Sequence, residues 1–201
     1  MNGLFVTGTD TGVGKTFIAC ELVRRARAAG HRVFAFKPIE TGVTGDWGED
    51  QLALAKASGS VPRGTYRFAL PAAPLVAAHA AGAEIDLGRI EIDLLAGIEG
   101  STRVLVEAAG GWRVPITERH GTSELARRSG LPVLIVARAG LGTINHTLLT
   151  YEAVIRDGLR VGGVVLSVRP DDDPTFARSN ATMIGRECGL SPFLFPDLPA
   201  L

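Results

Sequence analysis

Gly8-Thr9-Asp10-Thr11-Gly12-Val13-Gly14-Lys15-Thr16 follows a short apolar run, Leu4 to Val6, and opens a helical pattern from Lys15 to Ala29. Strand, glycine-rich loop and helix start together make a cradle for an anion. Loop N–H groups and the positive end of the helix dipole point at the same spot. Lys15 adds a mobile full charge for the outer phosphates of a nucleoside triphosphate, and Thr16 offers a hydroxyl suited to Mg²⁺. The common phosphate-loop spacing, G-x-x-x-x-G-K-[ST], asks for a glycine at position 9, where Thr9 stands. The leading glycine is Gly8, so this loop is one residue longer. An ordinary glycine turn gives no reason for a Lys-Thr pair at the helix start.

Working outward, Val33 to Phe36 form a second apolar run that ends at Lys37-Pro38. In an open parallel sheet the ligand crevice lies outside the carboxyl ends of the strands. Lys37 falls there, beside the first loop; the plainer alternative is a strand-end lysine reaching water. Glu40, Thr41 and Gly42 continue the same loop. Residues 43–50 are turn-rich and acidic, and offer Asp46, Glu49 and Asp50 as candidate Mg²⁺ carboxylates. Asp50 reads equally as the first-turn acid of a helix from Asp50 to Ser58. Arg103 to Glu107 is an apolar strand ending in an acid, then Ala108, Ala109, Gly110 and Gly111. In phosphate-loop enzymes an acid ending a neighbouring strand holds Mg²⁺ directly or through water, and glycines let backbone approach the γ-phosphate closely. Pro132 to Ala137 is a buried strand. A flexible loop follows and caps a helix to about Arg156, with Asn145 and His146 in its first turn. Val161 to Val168 and Pro192 to Phe195 supply the last strands, and Asp171-Asp172-Asp173 suits a helix start.

Short apolar strands alternating with helices about six times specify a parallel sheet with helices on both faces. No linker divides the chain, so residues 1–201 are expected to form a single α/β domain of phosphate-loop NTPase type. Basic and acidic residues balance at zero net charge, which argues against a nucleic-acid partner. No apolar run approaches the ~18 residues of a membrane span. The N-terminus enters a strand directly, leaving no room for a signal peptide. Cys20 and Cys188, two distant cysteines, form no disulfide framework or metal motif. A reducing cytoplasm is the expected compartment.

Four blocks in register carry a family resemblance. They are the extended loop Gly8 to Thr16; Lys37-Pro38 with Thr41-Gly42; Glu107-x-Ala109-Gly110-Gly111 with Val114-Pro115; and Gly142-Thr143-Ile144-Asn145-His146. This series resembles dethiobiotin synthetase over nearly the whole chain, and the lengthened loop is that family's own form. The resemblance implies an ATP- and Mg²⁺-dependent closure of the ureido ring of dethiobiotin from 7,8-diaminopelargonic acid and CO₂, through a carbamate and a carbamic–phosphoric mixed anhydride. It implies Lys15 and Lys37 as the catalytic cations and Thr16, Asp50 and Glu107 as Mg²⁺ ligands. ATP contacts are implied at Gly12, Val13, Gly14, Lys15, Thr16, Phe17, Asp50, Glu107, Ala108, Ala109, Gly110, Ser167, Val168, Pro196, Asp197 and Leu198. Thr11 and Thr41 would bind the diamine or carbamate. The family works as a homodimer, in which Asn145 of the second subunit would grip the substrate's carboxylate tail.

Gly12 stands where many members carry an acid, which lowers the charge of the loop. Ser167 stands where many carry an asparagine that reads adenine, so other triphosphates are expected to serve beside ATP. The terminal helix of longer relatives is expected to be missing, leaving the base side more open. Two rival readings are an amide-forming relative in cobyrinic acid synthesis, which needs a glutaminase domain, and a partitioning-type switch ATPase, which carries a second lysine early in the loop. Thr9 and Asp10 occupy that early position here. A third, a non-catalytic nucleotide-binding subunit, is disfavoured by Lys15, Lys37 and Glu107 occurring together.

Overall fold

Hydrophobic alternation in the strands sorts side chains onto two faces of one sheet. A computed structural model describes residues 2–201. Six strands run parallel: β1 (Gly3–Gly8), β2 (Val33–Phe36), β5 (Arg103–Gly111), β6 (Val133–Arg138), β7 (Val161–Ser167) and β8 (Phe193–Leu194), in the order β2-β5-β1-β6-β7-β8. They read as near-continuous apolar runs because both faces are covered. Leu4 and Val6 point to one face and Phe5 to the other; Val33 and Ala35 oppose Phe34 and Phe36 in the same way.

The face bearing Leu4, Val6 and Leu134 is covered by α1 (Lys15–Ala28) and α2 (Glu49–Ser58), through Ile18, Leu22, Val23 and Leu54. Phe193, Phe195 and Leu198 pack on the same cluster. The opposite face is covered by α3 (Pro74–Ala80), α4 (Leu87–Ile98), α5 (Thr122–Ser129), α6 (Thr143–Arg156) and α7 (Pro174–Cys188). The expected doubly covered parallel sheet is therefore the architecture found, a single-domain phosphate-loop NTPase fold. Among the described residues no helix is long and apolar enough to cross a membrane. Cys20 is buried in the α1 core with its thiol pushed up to about 11, chiefly by burial, and Cys188 is also free.

Two local features differ from the sequence reading. Ile39–Thr41 is not loop but a strand, β3, which pairs in parallel with β4 (Tyr66–Phe68) in a separate two-stranded sheet. β5 runs past Glu107 to Gly111. Its register against β1 jumps from Val6↔Glu107 to Gly8↔Gly111, so a bulge leaves Ala108 to Gly110 without partners in β1.

Candidate active site

The carboxyl ends of β1, β2 and β5 open into one cleft of about 720 Å³. The topology places it there: β1 lies between β5 and β6, so the connections from β1 and β5 diverge. Its lining includes Thr11, Gly12, Gly14, Lys15, Thr16 and Phe17 from the first loop and α1, Lys37 and Thr41 around β3, Asp50 from α2, and Ala109 and Gly110 from the bulge.

The first loop is shaped by its glycines. Gly14 precedes α1 in the left-handed region (φ 98°), and a β-carbon there would meet Ser167 Oγ at 2.5 Å. Only glycine combines that backbone with that neighbour. Lys15 curls back so that Nζ donates to the Asp10 carbonyl at 3.0 Å. From outside, Arg169 Nη2 donates to the Gly12 carbonyl at 2.8 Å, and Arg138 pairs with Asp10 at 3.3 Å.

Behind Lys15 stands a compact polar quartet. Lys37 Nζ donates to Asp50 Oδ2 at 2.5 Å and to Glu107 Oε1 at 2.7 Å, and Thr16 Oγ1 donates to the same Glu107 oxygen at 2.7 Å. Burial pushes Lys37 down, but the charges of Glu107 and Asp50, and their hydrogen bonds, hold it well above the ordinary lysine value. Burial pushes Asp50 up, and the Lys37 charge and hydrogen bond, with help from Thr16 and Lys15, bring it below the ordinary carboxylate value. Lys15 is lowered, first by burial and then by the Lys37 charge, against the pull of Glu107, Asp50 and Asp10. The two lysines thus share one cleft and feel one another.

Among the candidate metal carboxylates, Asp50 joins the quartet, Glu49 lines the cleft without joining it, and Asp46 is exposed away from the lining. Thr16, Asp50 and Glu107 gather oxygen donors suited to a hard cation. Glu107 is wholly buried, and its Oε2 has no hydrogen-bond partner. A hydroxyl and two carboxylates match Mg²⁺, which keeps waters and completes its shell with substrate phosphates rather than an all-protein cage. The residues therefore fit the ion.

Other expected positions lie outside the lining. Val13 and Ala108 are buried in the two cores on either side of the sheet. Ser167 is buried under Gly14, and Val168 packs on the α7 side. Pro196 and Asp197 are exposed and Leu198 half-buried, beyond an edge-to-face contact of Phe17 with Phe195 at 4.8 Å; Arg25 Nη2 donates to the Pro196 carbonyl at 2.7 Å. Asn145 is exposed on the first turn of α6 and does not line this cleft.

Sequence reasoning passed over Glu40 and Gln51. Glu40 lines the cleft and accepts the N–H groups of Asp50 and Gln51, each at 2.9 Å. Both partners are backbone groups, so no side-chain pattern advertised them.

Comparison with known proteins gives a consistent result. Residues 2–192 match the family described as AAA domain. The chain is 49% identical over 191 residues to the ATP-dependent dethiobiotin synthetase of Anaeromyxobacter dehalogenans (strain 2CP-C), covering 92% of this chain and 85% of that one. It is 40% identical over 200 residues to the synthetase of the same name from Aquifex aeolicus (strain VF5), covering 97% and 89%. Among solved structures it resembles chloroplast FtsY from Physcomitrella patens, with a TM-score of 0.60 at 17% identity. That match covers 98% of this chain and 59% of the other, and shows the fold alone.

Proposed function

Because this chain belongs to the ATP-dependent dethiobiotin synthetase family, and is thereby an ATP-dependent ligase of biotin biosynthesis, we propose that it closes the ureido ring of 7,8-diaminopelargonic acid with CO₂ to give dethiobiotin. The observation that carries this reading is the sharing of one cleft by Lys15 and Lys37, backed by Thr16, Asp50 and Glu107.

One substrate amine adds to CO₂ and loses a proton, giving a carbamate. A carbamate oxygen attacks the γ-phosphorus of ATP, the bond to ADP breaks, and a carbamic–phosphoric anhydride remains. The second amine attacks its carbonyl carbon and expels phosphate. The central difficulty is anion meeting anion. Lys15 follows the outer phosphates, and Lys37, fixed by two carboxylates, faces the transferring group as its charge spreads. Thr16, Asp50 and Glu107 would hold Mg²⁺, which neutralises charge on the phosphate oxygens when bound. Thr11 and Thr41 hydrogen-bond the diamine or carbamate. No protein nucleophile is required, so orientation supplies the remainder. The cytoplasm is the compartment that two free cysteines suit.

The test is direct. The protein is incubated with the diamine, bicarbonate, Mg²⁺ and ATP, and dethiobiotin is sought by mass spectrometry alongside stoichiometric ADP. ADP release that ignores the diamine would sink this reading and favour a switch ATPase.

A further inference from the structure

The segment after β2 and the start of α2 are tied by a closed circuit of hydrogen bonds. α2 begins after Gly48, which has no side chain to cap it. The first N–H groups of a helix need acceptors, and Glu40 supplies them from another element: Oε1 takes Asp50 N and Oε2 takes Gln51 N. A carboxylate also gains from the positive end of the helix dipole. Gln51, fully buried, returns the tie. Its Nε2 donates to the Lys37 carbonyl at 3.1 Å, and its Oε1 accepts from Gly48 N at 3.4 Å. Lys37 closes the circuit through Nζ on Asp50. The enclosure is tight. A β-carbon on Gly48 would run into the Glu40 carboxyl, and one on Gly64 into the Gln51 amide.

We propose that Glu40 is a positioning residue which, with Gln51, holds the Lys37–Asp50 pair in line with the phosphate loop. This deepens the ring-closure reading and rests on it. The charge matters because both carboxylate oxygens accept. An amide at this position turns one acceptor into a donor that faces a backbone N–H. A loosened clamp lets Asp50 drift and draw Lys37 with it, and misplacement by about 1 Å is enough to cost ~10²-fold in rate.

Glu40→Gln and the pair Glu40→Ala with Gly48→Asp test it. Glu40→Gln should lower kcat for ring closure about 10- to 100-fold, as loss of a supporting partner does elsewhere. The dissociation constant of ATP without added Mg²⁺, by calorimetry, should stay within about threefold, because the phosphate loop is untouched. The double variant moves a capping carboxylate onto the helix itself, in the space Glu40 vacates. It should restore the thermal midpoint without restoring kcat. Wild-type turnover in Glu40→Gln, or recovery of kcat together with the midpoint in the double variant, would reduce Glu40 to a helix cap and overturn the proposal. A crystal structure of Glu40→Gln gives a readout independent of the reaction: the Lys37–Asp50 contact should open beyond hydrogen-bonding reach. An unchanged contact overturns the proposal even if the wild-type protein makes no dethiobiotin, a result that separately removes the ring-closure reading.

Discussion

Lys37 Nζ lies 2.7 Å from Glu107 Oε1, with the two side chains 5% and 0% exposed. A buried pair of this kind is weak support for stability, since desolvating both charges offsets much of their attraction. The pair instead lies behind Lys15, with Lys37 reaching the lining of the phosphate-loop cleft and Glu107 buried beneath it. In the proposed ring closure it would keep a full positive charge preformed where an oxyanion is met.

Replacing Lys37 by alanine should therefore separate two properties. Turnover should fall by at least ~10²-fold, the scale for losing one preorganised charge partner, while ATP still binds through Lys15 and the loop. Glu107 is left buried and unpaired, so unfolding in urea should show a loss of about 3–5 kcal/mol. Adding Glu107→Gln should recover much of that stability and none of the activity. Equal turnover in Lys37→Ala would remove its assigned role.

ATP affinity should decline on the alkaline side at a pH below 10.5, the ordinary lysine value, because Lys15 is lowered by burial and by Lys37. The sign follows from linkage. Free Lys15 loses its proton early, and a bound triphosphate restores it. The complex therefore holds more protons than the free protein, and affinity falls as pH rises through the free value, by at most about tenfold per pH unit for one proton. Lys37 is shifted the other way, stays charged through this window and adds no slope. Calorimetry in buffers of different ionisation enthalpy should detect proton uptake, and Lys15→Arg should abolish it. An affinity flat to pH 10.5 contradicts the shift.

Base selectivity should be weak. Ser167 is buried against Gly14 and presents no amide edge to a base. A site that does not hydrogen-bond the distinguishing group discriminates only by about 10- to 200-fold. CTP and GTP should thus support ring closure within that factor of ATP in a competition assay. Strict ATP use would mean that another group reads the base.

How far these features could be read from sequence depends on the range over which each is encoded. Lys15 and Thr16 announce themselves because loop, lysine and helix start are contiguous. The six main strands were legible from apolar runs buried on both faces. Ile39–Thr41 was not, since three residues after a proline carry little pattern and become a strand only by pairing with Tyr66–Phe68, far along the chain. The end of β5 was read short because Ala108 to Gly110 have poor strand propensity, and the strand resumes its pairing with β1 only beyond them, at Gly111. Asp50 stood level with Asp46 and Glu49 on residue type alone. Tertiary placement separates them, by bringing its carboxylate to Lys37.

The proposed role of Asn145 at the substrate would require a second subunit. Asn145 is exposed on α6, outside the cleft, and Leu141 and Leu149 nearby are 89% and 58% exposed. In an isologous dimer each cleft would combine Lys37 of one chain with Asn145 of the other. Two separately inactive variants, Lys37→Ala and Asn145→Ala, then complement one another. A hybrid dimer has one cleft with both defects and one with neither. Random reassortment makes half of the dimers hybrid, so a mixture should recover about a quarter of wild-type activity. Lys37→Ala mixed with Glu107→Ala should recover none, because both residues belong to the same chain's cleft. If the first mixture stays inactive after subunit exchange has been verified by native mass spectrometry, Asn145 does not act across an interface.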